Sequence, residues 1–386
     1  MSRALRLSVP LLGFAASAIL TSALSTYVLY LGYFHVRTGM SVPSLALWGS
    51  VFYFAGMPIG KVIGRALRFY RHLPVAVMGM SALIAVTLIL MPYVVLPAEL
   101  MVLRFLQGTV TFFMEIFSNA YSYLYEDVGS RTLASAISIS GIPGGVAIGT
   151  SAYMLALADP SIVYLALALA ALAAAAGYSA LLSRMRIVLT PLKEELHGTT
   201  FRMGRTWLMG ILWATIAGFN LVLAVVLPPF LSAYSPSDVP LAMNVFGVTA
   251  VLVTVISGIL AYYLRSPSSL TKMVAVGYAL GLAGFVYLWA AHPVGAWLAL
   301  ALTLINMETL AVPFIYSIPR HVYPEGLVAK GTWEFSLIGS TFHVWATMLV
   351  VGLGYYIGFG SSMAILIGPP IYGLLAVLIL PRFFHS

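Results

Sequence analysis

The chain has 386 residues, of which 61% are hydrophobic and 8% charged, and its mean hydropathy is +1.00. A soluble domain carries about 25% charged residues, so this composition excludes a water-soluble fold and describes a chain solvated by lipid. The net charge is +8 and cysteine is absent, which excludes disulfide staples and thiolate chemistry.

Apolar runs near the roughly 20 residues that cross the hydrocarbon follow one another along the chain. They cover 11–34, 42–59, 75–95, 100–125, 133–157 and 162–183, then 207–232, 241–264, 273–291, 296–316, 333–357 and 362–380, which predicts twelve helical spans. Arg3 and Arg6 precede the first run as in a secretory signal. The run is too long for a signal core and lacks a small-residue cleavage site, so it reads as a retained span. Connections such as 96–99, 158–161 and 292–295 leave no room for a catalytic domain outside the membrane. The longer connection 184–205, with Lys193, Glu194 and Glu195 among apolar residues, reads as a linker lying on the membrane. The expected division is 1–185, a six-helix bundle; 186–205, a cytoplasmic linker; and 206–386, a second six-helix bundle.

The basic residues explain the charge. With the amino terminus inside, the inner turns and termini hold Arg3, Arg6, Lys61, Arg65, Arg68, Arg71, Arg131, Arg184, Arg186, Lys193, Arg202, Arg205, Arg265, Lys272, Arg320, Lys330 and Arg382. The outer turns hold only Arg37, and Arg104 lies within a span. This asymmetry is the positive-inside signature and predicts a multi-pass protein of the cell membrane with both termini cytoplasmic. The lipid bilayer is the partner it implies, and nucleic acid is not.

The chain repeats itself. Glu115 and Glu308 are 193 residues apart, each follows a methionine, and each sits within an apolar run. Glu99 and His292, Tyr123 and Tyr316, and Tyr27 and Asn220 share that interval. Six-span repeats of one orientation imply halves related by an axis along the membrane normal, an arrangement found among secondary transporters.

The buried polar residues are the functional candidates. A carboxylate at the bilayer centre costs roughly 2.5–3.5 kcal/mol on insertion scales, so two at matched depth require a reason. Burial disfavours the ionised form, which suits Glu115 and Glu308 to taking up and releasing a proton as access changes. Asn119, with Ser118 and Ser122, stands beside Glu115 to bond its carboxyl or a ligand. Pro313 cannot donate to the carbonyl of Thr309, so the tenth helix is expected to bend or loosen just beyond Glu308. Arg104 fits either an anionic ligand or a structural, proton-tuning role. His343, in the eleventh span, fits either a proton path or plain packing. Asn220 and Tyr27, with Ser25 and Thr26, are candidates for orienting a substrate, though hydroxyls also serve as helix-helix glue.

Enzyme signatures are missing. Gly144-Gly145 lies inside a span and follows no strand, so it is no nucleotide cradle. His321 and Glu325 are too few to hold a metal. The reading is of a non-enzyme without metal or cofactor, driven by a proton gradient.

The motifs resemble those of the major facilitator superfamily. Arg104-Phe-Leu-Gln107-Gly108 is similar to the family's fourth-span pattern of arginine followed three residues later by glutamine and glycine. Gly56-Met-Pro-Ile-Gly60-Lys61-Val-Ile-Gly64-Arg65-Ala-Leu-Arg68 resembles the gating motif after the second span, with glycine in place of the family's acidic residue and the spacing slipped by one. Gly141-Ile-Pro143-Gly144-Gly145 is similar to the glycine-proline motif of the family's antiporters. The resemblance implies an all-α integral membrane fold of twelve helices in two pseudo-symmetric six-helix bundles. It also implies a central cavity lined by the first, fourth, seventh and tenth spans, with Glu115 facing Glu308 across it. The expectation is a monomeric secondary transporter of a small solute, coupled to protons and working by alternating access. A uniporter or exporter of a cationic or amphipathic substrate, and a non-transporting sensor or scaffold on the same fold, are the alternatives.

Overall fold

A computed structural model describes residues 3–66, 73–110, 128–155, 159–184, 199–264, 266–324 and 327–384. Among these residues there are helices and no strands, as lipid demands, because a helix satisfies its backbone polar groups within itself. The first six are α1 (Arg3–Leu29), α2 (Val42–Ala66), α3 (Leu73–Leu90), α4 (Pro97–Val110), α5 (Gly129–Leu155) and α6 (Pro160–Arg184). The second six are α7 (Gly204–Ser232), α8 (Val239–Leu264), α9 (Pro267–Ala291), α10 (Gly295–Ala311, continued by Val312–Ser317), α11 (Val328–Ile357) and α12 (Phe359–Phe383). All but α4 and α10 are long and apolar enough to cross a membrane, and α4 is described only as far as Val110. Large apolar side chains such as Val75, Trp297, Trp345 and Leu378 lie on the outside, where water would be unfavourable and lipid is not.

The duplication visible in residue spacing is also a duplication of packing. In the first six helices α1 lies on α5, α2 on α4, and α3 on α6. Six helices later the same partners recur, with α7 on α11, α8 on α10, and α9 on α12. Among the described residues the sets meet chiefly along two seams, α5 against α8 and α2 against α11, and each maps onto the other under the repeat.

Small residues set the close approaches. Gly141, Gly145 and Gly149 recur every four residues along α5, and α1 presents Ser17, Thr21, Ser22 and Ser25 to them. A β-carbon at Gly145 would collide with Thr21 Oγ1 and the Ala18 carbonyl. The approach lets α1 hydroxyls bond α5 carbonyls, Thr21 to Ile142 at 2.7 Å and Ser25 to Gly145 at 3.3 Å. The glycine-proline motif singled out in the sequence is thus helix-packing machinery.

The two seams differ in texture. Along α5–α8 the backbones nearly touch, since a β-carbon at Gly247 would lie 2.6 Å from the Ala147 nitrogen and one at Gly258 would press on Ala136. Asn244 adds one polar tie there, to Ser151 Oγ at 2.6 Å. Along α2–α11 side chains carry the contact: Lys61 Nζ donates to the Ser336 carbonyl at 2.7 Å and to Ser340 Oγ, and Phe54 stacks on His343 at 5.5 Å.

Several boundaries differ from the hydropathy reading. The first run, expected to continue to residue 34, breaks at Tyr30, whose N–H is shared between the carbonyls of Thr26 and Tyr27 at 3.1 Å each. A separate helix, Leu31–Thr38, follows and ends at Gly39 in the left-handed conformation. Hydropathy does not register such a break because both sides of it are apolar. Conversely, α11 begins at Val328, ahead of the apolar run, because Lys330 and Glu334 are helical and buried although charged.

Candidate functional site

Asn220 and Glu308 come together where both of their helices depart from α geometry. A π turn, Ala214–Gly218, precedes Asn220 in α7, and a 3-10 segment, Met307–Ala311, carries Glu308 in α10. The latter has a local cause. Pro313 lacks the N–H that would close a helical bond to Thr309, and Val312 N–H takes that carbonyl instead, tightening the turn. The irregularity expected beyond the carboxylate therefore falls on it. Gly281 of α9 has no β-carbon, and one there would sit 3.3 Å from Glu308 Cβ, so α9 backs closely onto this turn.

The carboxyl of Glu308 is fully buried. Asn220 Nδ2 donates to Oε1 at 2.5 Å, tying α7 to α10, while Oε2 has no hydrogen-bond partner among the described residues. Such a group accepts a proton readily, and equally offers an unused acceptor to a ligand. Two residues earlier, Asn306 donates to the Phe246 carbonyl at 2.8 Å and to Thr249 Oγ1 at 2.7 Å, fastening α10 to α8. Sequence reasoning passed over Asn306, although an asparagine inside an apolar run is itself a signal.

The first six helices hold a buried cation. Arg104 of α4 is completely enclosed, its guanidinium between the rings of Tyr27 at 4.1 Å and Tyr53 at 4.6 Å. Nε donates to the Gly49 carbonyl at 3.1 Å, and Nη1 donates to the Ala23 carbonyl at 3.2 Å and to Gln107 Oε1 at 2.8 Å. One side chain thereby joins α1, α2 and α4. Tyr27 is held in turn by its hydroxyl, which donates to the Leu45 carbonyl at 2.7 Å, and by the missing β-carbon of Gly49. Tyr53, Gly49 and Ala23 carry no sequence signal for this role, since carbonyl acceptors look alike in every residue.

The repeat places these two groups in register. Arg104 reaches Ala23 and Tyr27 on α1; the positions 193 residues on are Ile216 and Asn220, the turn of α7 that meets Glu308. Charges of opposite sign thus engage equivalent turns of α1 and α7. Glu99 and His292, at the same interval, are not alike: Glu99 accepts the N–H groups of Val95 and Leu96 at the head of α4, whereas His292 ends α9 with φ 46°.

His343 lies on the α2–α11 seam, its Nδ1 3.1 Å from the Ser340 carbonyl and its ring on Phe54. Of the gating-motif positions, Lys61 crosses to α11, Gly56 lies against the α4 backbone at Phe105 and Thr109, and Gly64 is buried in α2, where Arg65 follows it. Glu115 and Asn119 lie outside the described residues, as do Ser118, Ser122, Tyr123, the linker residues 185–198 and Glu325.

No protein-family model matches the chain, and no curated protein matches it. Solved structures do. One is the major facilitator superfamily proton:xylose symporter XylE bound to 6-bromo-6-deoxy-D-glucose, which superposes with a TM-score of 0.74 at 14% identity over 99% of this chain and 96% of that one. The all-helical, multi-pass architecture described above is therefore that of the major facilitator superfamily fold.

Proposed function

We propose that the protein is a secondary active transporter that moves a small solute by alternating access, with Glu308 and Glu115 carrying the coupling proton. The observation that carries this reading is the Glu308 carboxyl, enclosed in the bundle, bonded through one oxygen to Asn220 and, among the described residues, unpartnered at the other. Among the described residues one donor, Asn220 Nδ2, meets this carboxyl, which leaves Oε2 to exchange a proton when water reaches the site. In this reading Arg104, Tyr27 and Asn119 orient the solute. The α2–α11 contact of Lys61 and the stacking of His343 supply a catch that opens and closes with access. The units that move are residues 1–185 and 206–386, joined by the linker 186–205. The protein works as a monomer in the cell membrane with both termini cytoplasmic, needs no metal or cofactor, and catalyses no covalent step.

A second reading has its own support. The free oxygen of Glu308 suits a cationic group of the solute, in which case the carboxylate binds substrate directly and the protein is a uniporter or exporter. Proteoliposomes with an imposed pH gradient and a panel of labelled solutes test both. Gradient-dependent accumulation supports coupling, gradient-independent equilibration of cations supports the second reading, and no movement of any solute overturns transport.

A further inference from the structure

Arg104 has more donors than acceptors. Of its five N–H groups, Nε–H and the two on Nη1 are used, and both on Nη2 have no acceptor among the described residues although the side chain is fully buried. Gln107 repeats the imbalance: Oε1 accepts from Nη1 while Nε2 is buried with its two N–H groups unused. The Nη1–Oε1 bond at 2.8 Å ties the guanidinium to the amide that carries the second pair of unused donors.

Charge is out of balance as well. Among the described residues the partners of Arg104 are two carbonyls, an amide oxygen and two aromatic rings, with no carboxylate. A guanidinium stays protonated in proteins, so it cannot neutralise itself as a buried lysine can. Removing a charge from water without a counter-charge costs several kcal/mol, and carbonyl dipoles return only part of it. A buried water would accept two of the four spare N–H groups and leave the charge as it was. An anion does both.

We propose that Arg104 and Gln107 form a binding site for a monovalent anion, a halide or a carboxylate group, seated between Arg104 Nη2 and Gln107 Nε2. The site rests on the contacts of Arg104 and Gln107 and stands whether or not the chain transports anything. Its function is to supply the missing counter-charge at the junction of α1, α2 and α4, so occupancy sets the stability of that junction. The anion comes either free from solution or as the carboxylate of a larger solute.

The test is the thermal unfolding of the purified full chain in detergent, followed by tryptophan fluorescence at constant ionic strength. Sodium chloride, bromide or formate is exchanged stepwise for the salt of a bulky sulfonate. The expected result is a saturable rise in Tm of a few degrees that fits one site. Saturation by halides shows a free inorganic ion, and saturation by formate but not halides shows a site for a solute's carboxylate. In Gln107→Leu the half-saturating concentration should rise at least about tenfold, as expected for loss of a charge-assisted hydrogen bond. Gln107→Glu supplies the anion from within, and its Tm should match that of the saturated wild type and no longer respond to salt identity. A wild-type Tm that is the same in every salt, or a Gln107→Glu protein that still responds, overturns the proposal. Because the readout is stability, a failure here leaves the transport reading untouched, and a failure of transport leaves this site standing.

Discussion

The Arg104 guanidinium lies over the Tyr27 ring, 4.1 Å from its centre, and the same arginine bonds the Ala23 carbonyl one turn earlier on α1. Two helices distant in sequence are thereby joined by one side chain through stacking and a charge-assisted bond. Arg104→Ala leaves Gln107 Oε1 without a donor, at about 1–3 kcal/mol for a buried group, and takes from the Gly49 and Ala23 carbonyls the side-chain donor they hold beside their own helix bonds. We expect a large loss of folded yield or Tm. Arg104→Lys should restore only part of it, because one ammonium cannot reproduce the planar fork. Fluorescence-detected size-exclusion chromatography after a heat ramp checks both, and an unchanged Tm in Arg104→Ala would show that the contacts are energetically idle.

Replacing Glu308 with glutamine keeps its size and its bond from Asn220 to the side-chain oxygen but removes the titrating proton. If the residue couples transport to the gradient, uphill accumulation should fall about a hundredfold or more while solute exchange at equilibrium survives, a split that separates proton release from binding. Loss of binding itself, measured as solute-dependent fluorescence, would move the assignment to direct recognition of a cation. Full accumulation in Glu308→Gln would leave the residue a packing acid.

Lys61 offers a conformational test. Lys61→Ala removes the bonds to Ser336 and Ser340 that tie α2 to α11. Spin labels on cysteines placed near this end of α2 and α11, in a chain with no native cysteine, should show a shift toward longer distances. An unchanged distribution would mean that the tie is not a catch.

Topology is accessible by the same means. Single cysteines at Asp159 and Ser237, both in turns, should label from outside in intact cells, and one at the exposed Arg202 should label only after permeabilisation. The reverse pattern would invert the orientation.

Much of this was legible in the residues. The interval of 193 that pairs Tyr27 with Asn220 found two positions that each meet the buried charge of their own set of helices. Spacing found them because repeats preserve depth. It did not foresee that Arg104 and Glu308, eleven positions out of step within the repeat, would engage equivalent turns of α1 and α7, because the length and direction of a side chain are not in the spacing. The 3-10 turn at Glu308 was half legible. Pro313 identified the orphan carbonyl, but not that Val312 N–H would take it and draw the turn at Glu308 into 3-10 geometry. The break at Tyr30 was invisible to hydropathy for the reason that makes hydropathy useful: it averages over direction.

The unequal texture of the two seams has a mechanical consequence. Where α5 meets α8, glycines remove the protruding groups that would lock one register, so displacement there meets a gently varying energy, like two smooth rods in contact. Where α2 meets α11, Lys61, His343 and Phe54 act as discrete teeth that must disengage before the helices part. Resistance to any relative movement of the two sets is therefore carried by a few side chains, with Asn244 the polar exception on the smooth flank and most of them on the toothed one. The rate of such movement can be tuned by single substitutions there without rebuilding the bearing on the other side.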